Sequence, residues 1–276
     1  MGVKLILLDL DGTLLNSDKL ISDREYSALE RAHQMGVHIV PSTGRFFAGM
    51  PKVVRDLPFV RYAITVNGAE VYDVQAEKAI SRAEIPWKQA DEVYARLDTF
   101  PVIYDCFQDG WGYMDAALYA RIDEFIADPR VNRMVKELRK PVTEFRKTMA
   151  VEQKPVQKIQ MFFTDQQTRL ATWETLKQEF PELTVTSSIS NNVELNAKLA
   201  HKGEALRRLC DHLGISIEET MAFGDGPNDC SMIETAGIGV AMDNACPELK
   251  QVADYITDTN DNFGVAKAIE RFCLNP

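Results

Sequence analysis

The sequence predicts an α/β protein, with a parallel-sheet core covered by helices on both faces and an α+β domain inserted into it. Three observations predict this. Short apolar runs alternate with helical patterns at both ends of the chain, the rhythm of a parallel sheet. The rhythm stops in the middle, where hairpins and helices follow one another without a repeating βα unit. Three apolar runs in the end segments finish in polar clusters. The core is therefore read as residues 1–83 and 190–276, and the inserted domain as residues 84–189.

The elements follow in order. Residues 3–8 hold five apolar residues interrupted only by Lys4. That run is too short for a typical helix and reads as a buried parallel strand. It ends in Asp9, Asp11, Gly12 and Thr13. Ser22 is placed to cap a helix reaching 35, with Glu25 at the capping-box position, and Gly36 stops it. A second strand over 37–40 ends in Ser42-Thr43-Gly44-Arg45. A helix over 46–56 is expected next, then a third strand over 61–66 ending in Asn67-Gly68-Ala69, then a hairpin over 70–83.

In the inserted stretch, Pro86 opens a helix over 87–100. Strands over 102–108 and 111–114 flank an Asp109-Gly110 turn, which makes an antiparallel hairpin. A helix over 117–127 follows, and residues 130–155 show no clear period and are broken by Pro141 and Pro155. A strand over 158–163, a helix over 166–179 and a hairpin of 183–188 with 193–196 complete the region. Trp87, Trp111 and Trp173 all fall here and are read as core of this domain rather than a sugar-stacking platform. The βα rhythm returns with a helix over 201–213 stopped by Gly214, and a strand over 220–223 running into Gly224-Asp225-Gly226-Pro227-Asn228-Asp229. A helix over 231–236, a strand over 239–242, a helix over 247–252, a short strand at 255–256 and a helix over 263–272 close the chain.

Composition narrows the function classes. A chain of 276 residues holds one large domain or two ordinary ones, and 45% hydrophobic residues suffice for a packed core. The net charge of −10, from 31 basic and 41 acidic residues, argues against a nonspecific nucleic-acid binder. It leaves room for a phosphorylated substrate, because a local site can invert the global field. The five cysteines are scattered and form no Cys-x-x-Cys pair, so neither a zinc site nor a disulfide framework is indicated. No signal peptide opens the chain, and no apolar run approaches the roughly 20 residues of a membrane span. A soluble, cytoplasmic protein without a membrane partner is expected; the residues do not set its oligomeric state.

The chemistry concentrates at strand ends. In a parallel sheet, Asp9/Asp11, Ser42/Thr43/Gly44 and Asp225/Asn228/Asp229 lie along one edge, where open α/β sheets build their sites. Asp9, Asp11 and Asp225 are expected within a few ångströms of one another. Like charges about 4 Å apart repel by on the order of 4 kcal/mol per pair at an effective dielectric of 20. Such a cluster calls for a cation or a proton, and an all-oxygen site beside phosphate suits Mg²⁺. Taken singly, Asp11-Gly12 and Asp225-Gly226 also read as plain surface turns.

Asp9-Leu10-Asp11-Gly12-Thr13, Thr43-Gly44-Arg45, Lys202-Gly203 and Gly224-Asp225-Gly226-Pro227-Asn228-Asp229 together resemble the four ordered motifs of the haloacid-dehalogenase-like hydrolases. Asn67-Gly68-Ala69 and the stretch 240–245 are similar to the Cof-type sugar-phosphatase branch. The resemblance spans nearly the whole chain and implies a Rossmann-like core with an inserted cap domain. It implies that Asp9 is the nucleophile and that Asp11 is the acid–base partner. The metal would bind Asp9, Asp225 and the Leu10–Asp11 region, through the backbone carbonyl of residue 11, with Asp229 supporting it. Thr43 and the Gly44 amide, taken to lie at a helix N-terminus, would hold phosphate together with the Leu10 region, Lys202 and Asn228. Asp11 would need a raised pKa and Asp9 a lowered one, as befits an acid and a nucleophile. Arg45 reads equally as a substrate contact or a solvated residue, and Asn67 is a further candidate for substrate. His201 reads as a surface residue. Lys198-Leu199-Ala200 and Asp243 stand where relatives often carry glycine.

The resemblance implies Mg²⁺-dependent phosphatase activity on small phosphorylated metabolites, sugar phosphates first, through an aspartyl-phosphate. The rivals are a phosphomutase and a non-catalytic sugar-phosphate sensor, and the intact set of Asp9, Asp11, Lys202 and Asp225 counts against the sensor.

Overall fold

The computed structural model describes residues 2–274. The chain divides into two compact units, Met1–Arg82 with Leu199–Pro276, and Ala83–Lys198. The expected junction at 189/190 moves to 198, because residues 192–197 form a strand that pairs antiparallel on both sides within the inserted unit.

The first unit begins with β1 (Leu5–Leu8), whose four residues are fully buried. Each such side chain contributes roughly 2 kcal/mol by leaving water. Helix Asp23–Gln34 follows. The Ser22 side chain accepts from the Glu25 amide at 3.2 Å, so the cap forms. Glu25 does not answer as a capping box: its carboxylate turns inward and is buried beside the Val265 and Ala266 backbone. Then comes β2 (His38–Pro41). The helix expected over 46–56 is instead a 3₁₀ turn, Phe47–Gly49, and one α-turn, Lys52–Arg55. Pro51 separates them, since it disfavours helical backbone at Met50 and cannot donate.

The third strand, β3 (Tyr62–Thr65), departs from expectation. Among the described residues it meets the β2 side through one parallel bridge, Ser42 to Ile64, just past the end of β2. It pairs instead with β4 (Glu70–Asp73), which pairs with β5 (Lys78–Arg82), in a three-stranded antiparallel sheet. A turn with positive φ at Val66, Asn67 and Gly68 sends the chain straight back on itself.

The inserted unit carries β6 (Ile103–Gln108), β7 (Trp111–Asp115), β8 (Arg139–Val142), β9 (Lys158–Phe162), β10 (Leu183–Thr186) and β11 (Asn192–Ala197). They form one sheet in the order β10-β11-β9-β6-β7-β8, antiparallel except where β8 joins β7. The unreadable stretch 130–155 resolves into helix Pro129–Glu137, strand β8 and helix Phe145–Glu152. The helix expected over 117–127 is two short ones, Ala116–Tyr119 and Ile122–Phe125. Trp87 and Trp173 pack against the unit's main apolar cluster, whereas Trp111 lies half-buried with the Lys140 ammonium 4.2 Å from its ring centroid.

The chain returns to the first unit with helix Lys202–Leu213, β12 (Thr220–Gly224), β13 (Ile238–Ala241) and β14 (Tyr255–Ile256). The central sheet is parallel, in the order β14-β13-β12-β1-β2. From β1 the chain winds outward to β2, and from β12 it winds the other way. The direction reverses between β1 and β12, the crevice where doubly wound sheets hold ligands. No helix among the described residues is long and apolar enough to cross a membrane.

Candidate active site

Register fixes the site. Leu8 lies beside Pro41 on one side and Phe223 on the other, so the next residues of three strands share one rim. Backbone bonds continue the pairing: the Asp9 amide donates to the Phe223 carbonyl at 3.0 Å, and the Ser42 amide donates to that of Leu8 at 2.7 Å.

At this rim Lys202, the first residue of its helix, is fully buried. Its Nζ donates to Asp9 Oδ1 and to Asp229 Oδ1, both at 2.6 Å, and to the Ser42 carbonyl at 3.1 Å. Burial alone would lower its pKa, but Asp229 and Asp9 outweigh it and the ammonium stays charged. Helix position alone would disfavour a cation here; the two carboxylates explain its presence.

Asp9, Asp225 and Asp229 can each bring a carboxylate oxygen within 4.8 Å of the others. Burial, then the Asp229 charge, push Asp9 up to about 8 despite Lys202. Burial also raises Asp225, against a 2.7 Å hydrogen bond from the Thr13 hydroxyl. Asp229 engages protein donors through both oxygens: Oδ1 takes Lys202, and Oδ2 takes the amides of Asp225 and Gly226 at 3.1 and 2.9 Å. It therefore shapes the loop and holds the lysine, while Asp9 and Asp225 are better placed to take a cation. Crowded carboxylates with raised proton affinity form a hard, all-oxygen donor set, and the residues fit Mg²⁺.

The structure places Asp11 differently from expectation. Its carboxylate accepts from Lys19 Nζ and from Arg45 Nη2, each at 2.8 Å. Burial raises its pKa, but the two cations outweigh burial and leave it below the usual carboxylate value. So the pKa order expected for the pair is reversed: Asp9 is raised and Asp11 lowered. The causes are burial at Asp9 and, at Asp11, Arg45 together with Lys19, which comes from a loop that Asp261 tethers by bonds of 2.8 and 2.7 Å to Ser17. Arg45 thus faces neither bulk solvent alone nor an empty rim.

The other expected residues cluster as follows. Thr43 is buried, and its Oγ1 accepts from the Arg45 amide at 3.2 Å. Gly44 does not open a helix, because only a three-residue 3₁₀ turn follows, so its amide lacks a helix dipole. Asn67 Oδ1 accepts from Asn228 Nδ2 at 3.2 Å and packs on Gly44, where a Cβ would come within 2.9 Å of it. The Leu10 side chain is buried in the core, and its carbonyl accepts from the Leu15 amide at 2.9 Å. Gly12 has φ +91°, and a Cβ there would come within 2.5 Å of Asp225 Oδ2, so only glycine lets the two loops meet. Three contributors lie outside the expected set. Thr13 sat inside the first motif without a role. Lys19 had no local signal. His201, expected as a surface residue, is exposed, and its Nδ1 also caps the Lys202 helix by accepting from the Glu204 amide at 3.2 Å.

A parallel sheet with acids at its switch point and a buried lysine between them defines a phosphoryl-handling α/β hydrolase, and comparison with known proteins agrees. Residues 6–269 match the haloacid dehalogenase-like hydrolase family, and the chain belongs to it. It is a phosphoric monoester hydrolase of the Cof-type branch. It is 34% identical to phosphatase YwpJ of Bacillus subtilis, over 96% of this chain and 98% of the relative. It is 32% identical to the 5-amino-6-(5-phospho-D-ribitylamino)uracil phosphatase YcsE of the same organism, over 99% and 97%. A solved subclass IIB sugar phosphatase superposes with a TM-score of 0.79 at 25% identity, covering 98% of this chain and 99% of that one.

Proposed function

We propose that this phosphatase hydrolyses small sugar or polyol phosphates, with Mg²⁺, through an aspartyl-phosphate on Asp9. The observation that carries the reading is the fully buried Lys202 ammonium 2.6 Å from Asp9 Oδ1 at the carboxyl end of β1. A buried cation held against a strand-end carboxylate keeps that carboxylate oriented and offsets its charge as a phosphate dianion approaches. The relatives support the substrate class: one is named for a phosphorylated ribityl compound, another as a sugar phosphatase.

In this reading Asp9 attacks phosphorus in line with the leaving oxygen. Thr43, the Gly44 amide, Lys202 and Asn228 position the phosphoryl group, the main task in such transfers. Asp11 gives its proton to the leaving oxygen and then takes one from the attacking water. In the structure Asp11 is held ionised by Lys19 and Arg45. An arriving phosphate dianion competes for those cations, which raises the proton affinity of Asp11 when a proton is needed. Mg²⁺, held by Asp9 and Asp225, would neutralise charge on the transferring group.

A panel of sugar and polyol phosphates, assayed with Mg²⁺ for free phosphate, tests the reading. Stoichiometric phosphate release supports it. Isomerised sugar phosphate without free phosphate, or binding without turnover, overturns it in favour of a mutase or a sensor.

A further inference from the structure

Val66, Asn67 and Gly68 have φ of 51°, 55° and 100° in succession. Positive φ at a fully buried, β-branched valine is an outlier that persists only where its surroundings over-determine it. The surroundings here are specific. The Val66 amide donates to the Arg45 carbonyl at 2.9 Å, and the Asn67 amide donates to that of Thr43 at 3.0 Å. Gly68 lies against the backbone of His201 and Lys202, where a Cβ would come within 2.4 Å of the His201 carbonyl group. The turn is thus wedged between the Thr43–Arg45 loop and the start of the helix that carries Lys202. Its one side chain at the rim, Asn67, spans Gly44 and Asn228.

A side chain of the Lys202 helix also reaches this turn. Arg208, half-buried on the Lys202 helix, donates Nη2 to the Gly68 carbonyl and Nη1 to the Ser81 hydroxyl on β5 at 3.2 Å. Its Nε is buried without a partner. A guanidinium in a partly desolvated place, bonded to a carbonyl and a hydroxyl, does little for stability as a charge. Its geometry is that of a clamp, with a planar fork bridging two fixed acceptors.

We propose that Arg208 is a positioning residue for phosphoryl binding, holding the left-handed 66–68 turn so that Asn67 keeps Gly44 and Asn228 in register. The inference rests on the proposed phosphate-holding role of those residues. Arg208 touches no reacting atom and acts through Asn67.

The test uses the whole protein, with para-nitrophenyl phosphate as substrate and inorganic phosphate as competing ligand. In Arg208→Met, KM and the inhibition constant for phosphate should rise together by roughly tenfold, with a smaller fall in kcat, as misplacement of a binding group predicts. Arg208→Lys, which keeps charge but cannot bridge both acceptors, should fall between Met and wild type. In the Asn67→Ala background, Arg208→Met should add little, because one residue acts through the other. A lowered melting temperature with unchanged KM and phosphate affinity, or multiplicative effects in the double variant, overturns the inference. Asp9→Asn separates the two levels: if it retains turnover, the site reading fails; if it is inactive while Arg208→Met binds phosphate normally, only the role of Arg208 fails.

Discussion

Asp9 and Asp229 face each other across one ammonium, each accepting from Lys202 Nζ at 2.6 Å, although 220 residues separate them in the chain. The lysine is fully buried, so its ammonium depends on these two partners for compensation. Removing one partner of a buried ion pair destabilises by about 3–5 kcal/mol, because the remaining charge is left without compensation. Lys202→Met should therefore lower stability by about that amount in urea melts. It should also reduce kcat by about 10²–10³, the range seen when one charge-stabilising donor is lost.

Gly12→Ala tests the closeness of the first and fourth loops. The added methyl would need φ near +91° and would meet Asp225 Oδ2 at 2.5 Å. The expected result is a loss of activity of at least about tenfold, with a stability loss of about 1–3 kcal/mol from backbone strain. Steady-state kinetics and a thermal melt measure both.

Divalent-ion stabilisation should depend on pH. In the metal-free protein, burial and Asp229 raise Asp9 to about 8, so it holds a proton at lower pH and ionising it costs less as pH rises toward that value. A cation at Asp9 and Asp225 must displace that proton. The rise in melting temperature caused by Mg²⁺ should therefore be larger at pH 8.5 than at pH 6, and chelation should abolish turnover at both. A pH-independent thermal shift would place the ion elsewhere.

Glu25 supplies a second pH dependence away from the site. Its carboxylate is buried against the C-terminal helix, and burial raises it from 4.5 to about 7. A raised acid keeps its proton better in the folded state. Its contribution is full below about 4.5 and is lost as pH rises through about 7, on the order of 3 kcal/mol in all. Glu25→Gln should remove that loss, becoming more stable than wild type above pH 7 and no more stable below pH 4.5. Denaturant melts across this range measure it.

Much of this architecture is legible in the sequence. The Leu5–Leu8 run is buried strand because nothing else suits four apolar residues that end in two acids. The meeting of Asp9 with Asp225 follows from parallel register once both strands are recognised. The third strand is less legible, since Tyr62–Thr65 has the apolar content of a central strand. Its departure is decided by the left-handed turn at 66–68, and a valine gives no warning of positive φ. The broken helix over 46–56 did carry a signal in Pro51. The pKa order of Asp9 and Asp11 did not, because Lys19 and Arg45 meet Asp11 only through the folding of separate loops. The junction at 198 rather than 189 reflects β11, whose partners β9 and β10 both belong to the inserted unit.

The central claim is that Asp9 carries the phosphoryl group during turnover. Rapid quenching during turnover, followed by borohydride reduction, converts an aspartyl-phosphate to homoserine, which peptide mass spectrometry locates. Substrate-dependent homoserine at position 9, absent in Asp9→Asn, is the expected result. Undiminished turnover with position 9 unmodified, or an active Asp9→Asn variant, would contradict it.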